Sequence, residues 1–137
     1  MISRISLETA GKGLYDVTHK VRQTIVNAEV DEAMVTVFLR HTSASLIIQE
    51  NADPCVQNDL QAWLERLVPE GDPLYTHTTE GPDDMPAHVK AALTQTHVCI
   101  PLVASELALG TWQGIYVWEH REAPHTRELL VSLVAVL

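Results

Sequence analysis

The sequence predicts an α+β fold: a largely antiparallel sheet with a few helices, in a single domain over residues 1–137. Three observations lead to this class. Short apolar runs follow one another in the hairpin-like order of antiparallel strands, only a few segments carry helical spacing, and no composition shift or repeat marks a second domain. With 137 residues, 46% of them hydrophobic, the chain can also bury one sizeable core.

Several runs predict strands because they alternate apolar and polar residues or are rich in β-branched and aromatic residues. They cover residues 3–9, 33–40, 43–50, 97–104, 111–120 and 128–137. In the run "TWQGIYVWEH", alternation places Trp112, Tyr116 and Trp118 on one face. We interpret this aromatic face as core or as a subunit interface rather than as a platform for a ligand.

Three further segments show the spacing and capping of helices. Residues 16–28 carry Val17, Val21 and Ile25 four apart. Residues 53–69 begin with an Asp53 cap and with Pro54 in the first turn. The predicted apolar face of this second helix holds Val56, Leu60, Trp63, Leu64 and Leu67. A short helix is expected from about residue 84 to 93, after a long loop rich in Gly, Pro and Asp, a kind of segment that often carries function.

The charge balance argues against a nucleic-acid-binding protein. The net charge is −9 and no basic patch is visible, whereas a nucleic-acid surface needs clustered Lys and Arg. An anionic small molecule would need a local concentration of positive charge. The N-terminus lacks the apolar core of a signal peptide and the longest apolar stretch is too short to span a bilayer, so we expect a cytoplasmic protein with no membrane partner.

Three of the seven histidines occupy positions that favour a role in chemistry. In "DDMPAHV", Asp84 and His88 are four residues apart and share a helix face, where the carboxylate can orient the imidazole as a metal ligand or general base. An acidic cap followed by a surface histidine is the alternative. His77 lies on the loop before this helix. His41 interrupts the apolar run "FLRHTSASLIIQEN" beside several hydroxyls, so these groups are either satisfied inside the core or face a ligand.

A separate cluster of polar residues lies at the end of the strand that contains "YVWEH". Glu119, His120 and Arg121 follow one another there, and Arg127 comes after the turn. This cluster supplies acid and base at a strand end. The alternative is a solvated hairpin tip.

Together these motifs resemble the YjbQ family, which is described as secondary thiamine-phosphate synthases. The resemblance rests on "HTSASLIIQENADP", "NDLQAWLERLVP", "YTHTTEGPDDMPAHVKAAL" and "LGTWQGIYVWEHR", in this order, over about residues 17–137. The chain departs from the family at turns and at its end. Residues 94–95 and 104–106 stand where glycines are common, and the usual final glycine is absent.

The resemblance implies an α+β fold with a β-sandwich-like sheet, assembled as a homotrimer with a polar pocket at or near a subunit boundary. It also implies transfer of an aminopyrimidine methyl group from its diphosphate to a thiazole phosphate, a step of thiamine biosynthesis. The matching residues fall into three implied roles. Metal ligands would be His41, His77 and His88; catalytic residues would be His41, Glu50, Asp84, Glu119 and Arg127; substrate-binding residues would be Thr42, Ser43, Thr111, Trp112 and Gln113; Asp59 also matches.

The histidine set predicts a divalent metal, zinc or manganese, with magnesium as a further option. Imidazole suits transition metals, whereas magnesium prefers carboxylate and water oxygens. This preference fits a diphosphate transferase poorly, so two alternatives stay open. One is a metal-dependent hydrolase or lyase acting on a phosphorylated small molecule, and the other is a non-catalytic trimer that binds a metal or an anionic ligand.

Overall fold

Strand pairing sorts the chain into two antiparallel sheets, which are accompanied by three helices. The computed structural model describes residues 1–137. The elements are β1 (Ile2–Thr9), β2 (Gly13–Asp16), α1 (Thr18–Ile25), β3 (Ala33–Leu39), β4 (Ala44–Glu50), α2 (Pro54–Leu67), α3 (Asp84–Leu93), β5 (His97–Val103), β6 (Glu106–Leu107), β7 (Gln113–Glu119) and β8 (His125–Ala135). One sheet has the order β1-β8-β3-β5-β6 and the other the order β2-β7-β4. The predicted α+β class with a sandwich-like antiparallel sheet is confirmed.

The core lies between the two sheets. In β3, the alternating residues Ala33, Val35, Val37 and Leu39 are buried while their neighbours face outward. The same core cluster of 20 buried residues includes side chains of β8 and, from the three-stranded sheet, of β4 and β7. Burial of apolar area between the sheets, worth roughly 25 cal/mol per Å², therefore holds the sandwich together.

Strand β7 departs from simple alternation, because both of its faces are covered. Residues 114–120 are all buried. Ile115 and Val117 belong to the core between the sheets, whereas Trp118 packs against Leu64 and Val68 beside α2. The aromatic face predicted from the sequence is thus covered inside one chain and needs no subunit contact. Trp112 precedes the strand and is 63% exposed.

Helix α2 starts as predicted but buries less than predicted. Asp53 caps it by accepting a hydrogen bond from the Cys55 N–H at 2.9 Å, with Pro54 in the first turn. Only Leu64 is buried, and Trp63 and Leu67 are about half exposed. The helix covers a sheet of only three strands, so a single row of its side chains reaches the core.

Two short strands and one helix start were not predicted. β2 has four residues and β6 has two, too few to show a period. The first helix begins at Thr18 instead of residue 16 because β2 occupies the preceding residues. In the turn before β2, Gly11 has φ +128°, and a Cβ there would lie 3.3 Å from the carbonyl oxygen of Glu122.

The pairing of β4 with β7 shows which predicted site residues lie at each end of the three-stranded sheet. Ala44 pairs with Glu119 at one end, and Glu50 pairs with Gln113 at the other. Six residues of extended chain span roughly 20 Å. Side chains at the two ends of β7 are therefore too far apart to touch one small ligand in the same chain. None of the three helices has the length and apolar composition needed to cross a bilayer.

Leucine truncation on α2 tests this burial pattern. Leu64→Ala is expected to lower the free energy of unfolding by about 2–5 kcal/mol, because it leaves a cavity in the core. Leu67→Ala removes the same atoms from the same helix at a position that is 53% exposed, and it is expected to cost less than about 1 kcal/mol. Urea unfolding measures both. Equal losses would show that the outer face of α2 is covered.

Candidate metal centre

The loop before α3 and the first turns of α3 bring two histidines onto one carboxylate. Asp84 and His88 lie one turn apart on α3, as their spacing predicted, and His77 reaches the same carboxylate from the loop. Asp84 Oδ2 is 2.7 Å from His77 Nε2 and 3.1 Å from His88 Nε2. The three potential ligand atoms lie within 4.8 Å of one another. Histidine and carboxylate donors at this separation fit a transition-metal ion.

The tautomer of His88 is fixed by its second nitrogen. His88 Nδ1 lies 2.9 Å from the Thr42 carbonyl oxygen, and a carbonyl can only accept, so Nδ1 carries a hydrogen. In the neutral ring Nε2 is then a bare acceptor facing the Asp84 carboxylate. A proton on Nε2 or a cation between the atoms is needed to make this contact favourable. Histidine ligands in metal sites commonly donate their other N–H to a carbonyl in the same way.

Asp84 is held in place by Arg121. Arg121 Nη1 donates to Asp84 Oδ1 at 2.6 Å, which leaves Oδ2 directed at the two histidines. The same guanidinium donates to Asp83 Oδ2 and to the Glu80 carbonyl, both at 2.9 Å. Burial works to raise the pKa of Asp84, but the hydrogen bond from His77 and the charge of Arg121 lower it overall. The carboxylate is therefore ionised and fixed before any ligand arrives.

Arg121 and Asp83 were not assigned to a site by the sequence. The signal that could have found them is the buried pair Asp83-Asp84, because two adjacent buried carboxylates need a cation. The sequence gives no indication that this cation comes from residue 121, whose position depends on how β7 ends.

His41 lies outside the group formed by His77, Asp84 and His88. Its Nε2 accepts the Glu128 N–H at 2.8 Å, and its Nδ1 is 3.3 Å from Arg127 Nη1. Burial first, and then the charge of Arg127, lower the pKa of His41. In this arrangement neither ring nitrogen is free for a metal.

His41 nevertheless borders the metal centre through a shared cavity. The cavity has a volume of about 330 Å³ and is lined by His41, Thr42, His88, Ala91, Ala92 and Thr96. A small molecule placed there would contact His88 on one side and His41 on the other. Thr42, His41 and His88, three of the predicted site residues, therefore lie close together and line one cavity.

Glu119, Arg127 and Ser43 form a buried network beneath this cavity. Arg127 forms an ion pair with Glu119, with Nε 2.7 Å from Oε1, and its Nη2 donates to Ser43 Oγ at 3.0 Å. Thr9 Oγ1 donates to Glu119 Oε1 at 2.6 Å. Burial works to raise the pKa of Glu119, but the bonds from Arg127 and Thr9 lower it overall. Glu119 and Arg127 are 0% and 3% exposed, so within one chain they have no surface for contact with a substrate.

The remaining predicted site residues lie at the opposite end of β7. Glu50 and Gln113 pair there, and Thr111 and Trp112 stand just before the strand. Asp59 is exposed on α2. One chain therefore does not unite these residues with the histidines.

The sequence and the fold both have known relatives. The family model for "UPF0047 protein YjbQ-like" matches residues 3–136. The chain belongs to the YjbQ family. Two YjbQ-family relatives are UPF0047 protein sll1880 of Synechocystis sp., 52% identical over 93% of this chain and 86% of that protein, and YjbQ of Escherichia coli O157:H7, 34% identical over 94% of each.

Solved YjbQ-like structures share the whole fold. A YjbQ/UPF0047 family protein from Clostridium acetobutylicum has a TM-score of 0.88 at 36% identity and covers 96% of this chain and 99% of its own. A conserved hypothetical protein from Thermus thermophilus has a TM-score of 0.86 at 32% identity, with the same coverage. These likenesses identify the family and the fold, and the chemistry has to be argued from the side chains.

His120 is a buried histidine that points away from the metal centre. Its Nε2 is 2.9 Å from Ser45 Oγ, and its Nδ1 has no protein partner. Burial first, and then the charge of Lys90, lower the pKa of His120 to about 3. The folded protein therefore keeps this ring neutral while the unfolded chain protonates it near the ordinary histidine pKa of about 6.5.

The stability of the protein is expected to fall as the pH drops below about 6.5. The unfolded state gains a proton at His120 there and the folded state does not, which costs about 2 kcal/mol between pH 7 and pH 5. The depressed pKa of His41 acts in the same direction, and the raised pKa of His77 acts in the opposite direction. His120→Gln should flatten this pH dependence in urea unfolding, whereas the exposed His97→Gln should not. An unchanged slope in His120→Gln would contradict the assignment.

Proposed function

We propose that the protein binds a divalent transition metal, zinc or manganese, through His77, Asp84 and His88, and that it is a metal-dependent hydrolase or lyase acting on a phosphorylated small molecule. The observation that supports this is the contact of His88 Nε2 with the ionised Asp84 at 3.1 Å, in which the Thr42 carbonyl orients the ring by accepting a hydrogen bond from Nδ1. Two imidazoles and one carboxylate suit zinc or manganese better than magnesium. Asp84 thus replaces His41 as the third proposed ligand.

Three protein ligands leave a coordination position for a reactant, as in catalytic rather than structural zinc sites. When bound, the metal would supply Lewis acidity and activate water. The chain supplies the rest of the site. Arg121 holds Asp84, Thr42 holds His88, and the cavity between His88 and His41 gives a substrate its place. We propose that Glu119 and Arg127 act as positioning residues beneath this cavity.

Thiamine-phosphate synthase activity is the second candidate, favoured by the family resemblance. A departing diphosphate needs several positive groups around it. The metal would provide one, but Arg121 and Arg127 are already bound to Asp83, Asp84 and Glu119. The shortage of free positive charge beside the metal centre places this reaction second. A turnover assay decides between the candidates, with zinc- or manganese-loaded protein and either the two thiamine precursors or a panel of phosphate esters.

The outcomes of this assay are distinct. Formation of thiamine phosphate at a rate that falls in His88→Ala would establish the second candidate. Hydrolysis or elimination of a phosphorylated compound with the same dependence on His88 would establish the first. Metal binding without turnover of the thiamine precursors or of the phosphate esters would indicate a non-catalytic binding module.

We propose from the resemblance that the protein is a homotrimer. We also propose that it is located in the cytoplasm, where the free Cys55 and Cys99 would stay reduced. The surface that supports self-association is the outer face of the five-stranded sheet. Exposed apolar side chains lie there on neighbouring strands, including Met34 and Val134, which are paired, and Phe38. Contiguous exposed apolar surface of this kind marks interfaces.

Substitution of the three ligands is expected to abolish metal binding without unfolding the chain. His77→Ala, Asp84→Asn and His88→Ala should each weaken binding by more than about a hundredfold, because changes of outer-shell partners alone cost roughly 10- to 100-fold. His97→Ala is the matched control, and His41→Ala should also retain the metal. Competition with a chromophoric chelator measures the affinity, and circular dichroism checks the fold. Retention of zinc by His88→Ala would contradict the proposed centre.

The same binding is expected to depend on pH. The hydrogen bond that His77 donates to Asp84, together with the charges of Asp84 and Glu80, raises the pKa of His77 above its usual value near 6.5. Protons then compete with the metal from above pH 6.5 downward, so the affinity should fall steadily as the solution is acidified. A zinc titration from pH 8 to pH 5 tests this, and an affinity that is constant over that range would argue against imidazole ligands.

Light scattering tests the trimer. The wild-type chain should give three times the monomer mass, and Phe38→Glu should lower that mass, because a charge would be buried in the interface. Leu74→Glu is the matched control, since Leu74 is 81% exposed on the loop before α3. A monomer mass for the wild type at micromolar concentration would rule out the assembly.

A further inference from the structure

Three of the nine cationic side chains have no carboxylate partner. Arg4, Lys12, Arg40, Lys90, Arg121 and Arg127 each form an ion pair. Lys20, Arg22 and Arg66 form none. In a chain with a net charge of −9, an unpaired cation beside a cavity is a natural place for an anion. Lys20 and Arg22 each border a polar cavity, and the cavity beside Arg22 is the larger of the two, about 340 Å³ against about 280 Å³.

This cavity lies between α1 and the segment before β7, at the end of β7 remote from the metal centre. Its volume is about 340 Å³, and it is lined by Asp16, Thr18, His19, Arg22, Asn51, Leu109, Gly110, Thr111 and Gln113. Leu109 is the single hydrophobic residue of the lining. Three residues of the lining belong to the "GTWQ" segment, which the metal centre does not use.

Several side chains of the cavity wall have hydrogen-bond donors with no acceptor in the protein. Gln113 Oε1 accepts the Gly110 N–H at 2.8 Å, so the amide is fixed with its NH₂ group unpaired. A Cβ on Gly110 would lie 3.3 Å from that Oε1, and glycine keeps this contact open. Thr18 Oγ1 accepts the Ile115 N–H at 2.8 Å, which leaves its hydroxyl hydrogen free to donate. The guanidinium of Arg22 adds further donors.

We infer that this cavity binds a phosphate group, with Arg22 as the charged contact and Gln113 Nε2, the Thr18 hydroxyl and the Thr111 hydroxyl as neutral donors. Phosphate offers acceptor oxygens to donors of this kind, and guanidinium is well suited to it. The volume exceeds that of a phosphate group, which leaves room for the organic part of a phosphate ester. The inference rests on these residues alone and is independent of the proposed metal centre.

Asp16 is the acidic residue in the lining, and it provides a sharp test. Its Oδ1 accepts the Thr18 N–H at 2.9 Å, a role that asparagine can also fill. Asp16→Asn should therefore keep the local fold, remove a repulsive charge and tighten phosphate binding. Arg22→Gln should weaken it by about tenfold or more, because hydrogen bonds to charged groups contribute roughly 1.5–3 kcal/mol. Lys20→Gln, on the same helix but outside the cavity, is the matched control.

Isothermal titration calorimetry measures the affinity. The ligands are inorganic phosphate and phenyl phosphate, each titrated with and without EDTA. Saturable binding that survives EDTA, weakens in Arg22→Gln and persists in Lys20→Gln supports the site. Tighter binding of phenyl phosphate would identify a phosphate ester as the ligand, and equal binding would identify the free anion. Absence of saturable binding, equal losses in the two variants, or loss of binding with EDTA would overturn the inference. The EDTA arm also separates this site from a metal-bound phosphate.

Discussion

The buried carboxylate of Glu119 is the interaction on which the rest of the candidate site depends. It accepts hydrogen bonds from Thr9, from two nitrogens of Arg127 and from the backbone N–H groups of His120 and Arg121. These donors come from β1, from β8 and from the residues after β7. A fully buried carboxylate would be very costly without such partners. The network therefore ties the two sheets together at the point where β7 ends.

The Glu119 carboxylate fixes the positions of two arginines, Arg121 and Arg127. Because Glu119 fixes the backbone after β7, Arg121 reaches α3 and holds Asp84 while also bonding the Glu80 carbonyl of the loop. Because Glu119 neutralises Arg127, that guanidinium can lie under the cavity beside His41 without a second counter-ion. The candidate metal ligands are thus oriented by a frame of β-strands, although the two histidines come from a loop and a helix.

Most of the fold could be predicted from sequence because its information is local. Runs with a period of two residues predicted the long strands, and the Asp53 cap predicted the start of α2. The Asp84–His88 pair was visible for the same reason, since four residues are one helical turn. The position of His41 was not, because it depends on which donors β8 presents to the ring. The exposed face of α2 was also missed, because the spacing of Trp63 cannot reveal how wide the covered sheet is.

The order of strands in the larger sheet has a consequence for how the protein is made. β8, the last strand of the chain, lies between β1 and β3. During synthesis from the N-terminus, β1 and β3 both lack this pairing partner until β8 (His125–Ala135) has left the ribosome. Exposed strand edges invite pairing with other chains, and contacts between distant segments form slowly. In the nascent chain, the facing edges of β1 and β3 therefore stay open to pairing with other chains until β8 is available.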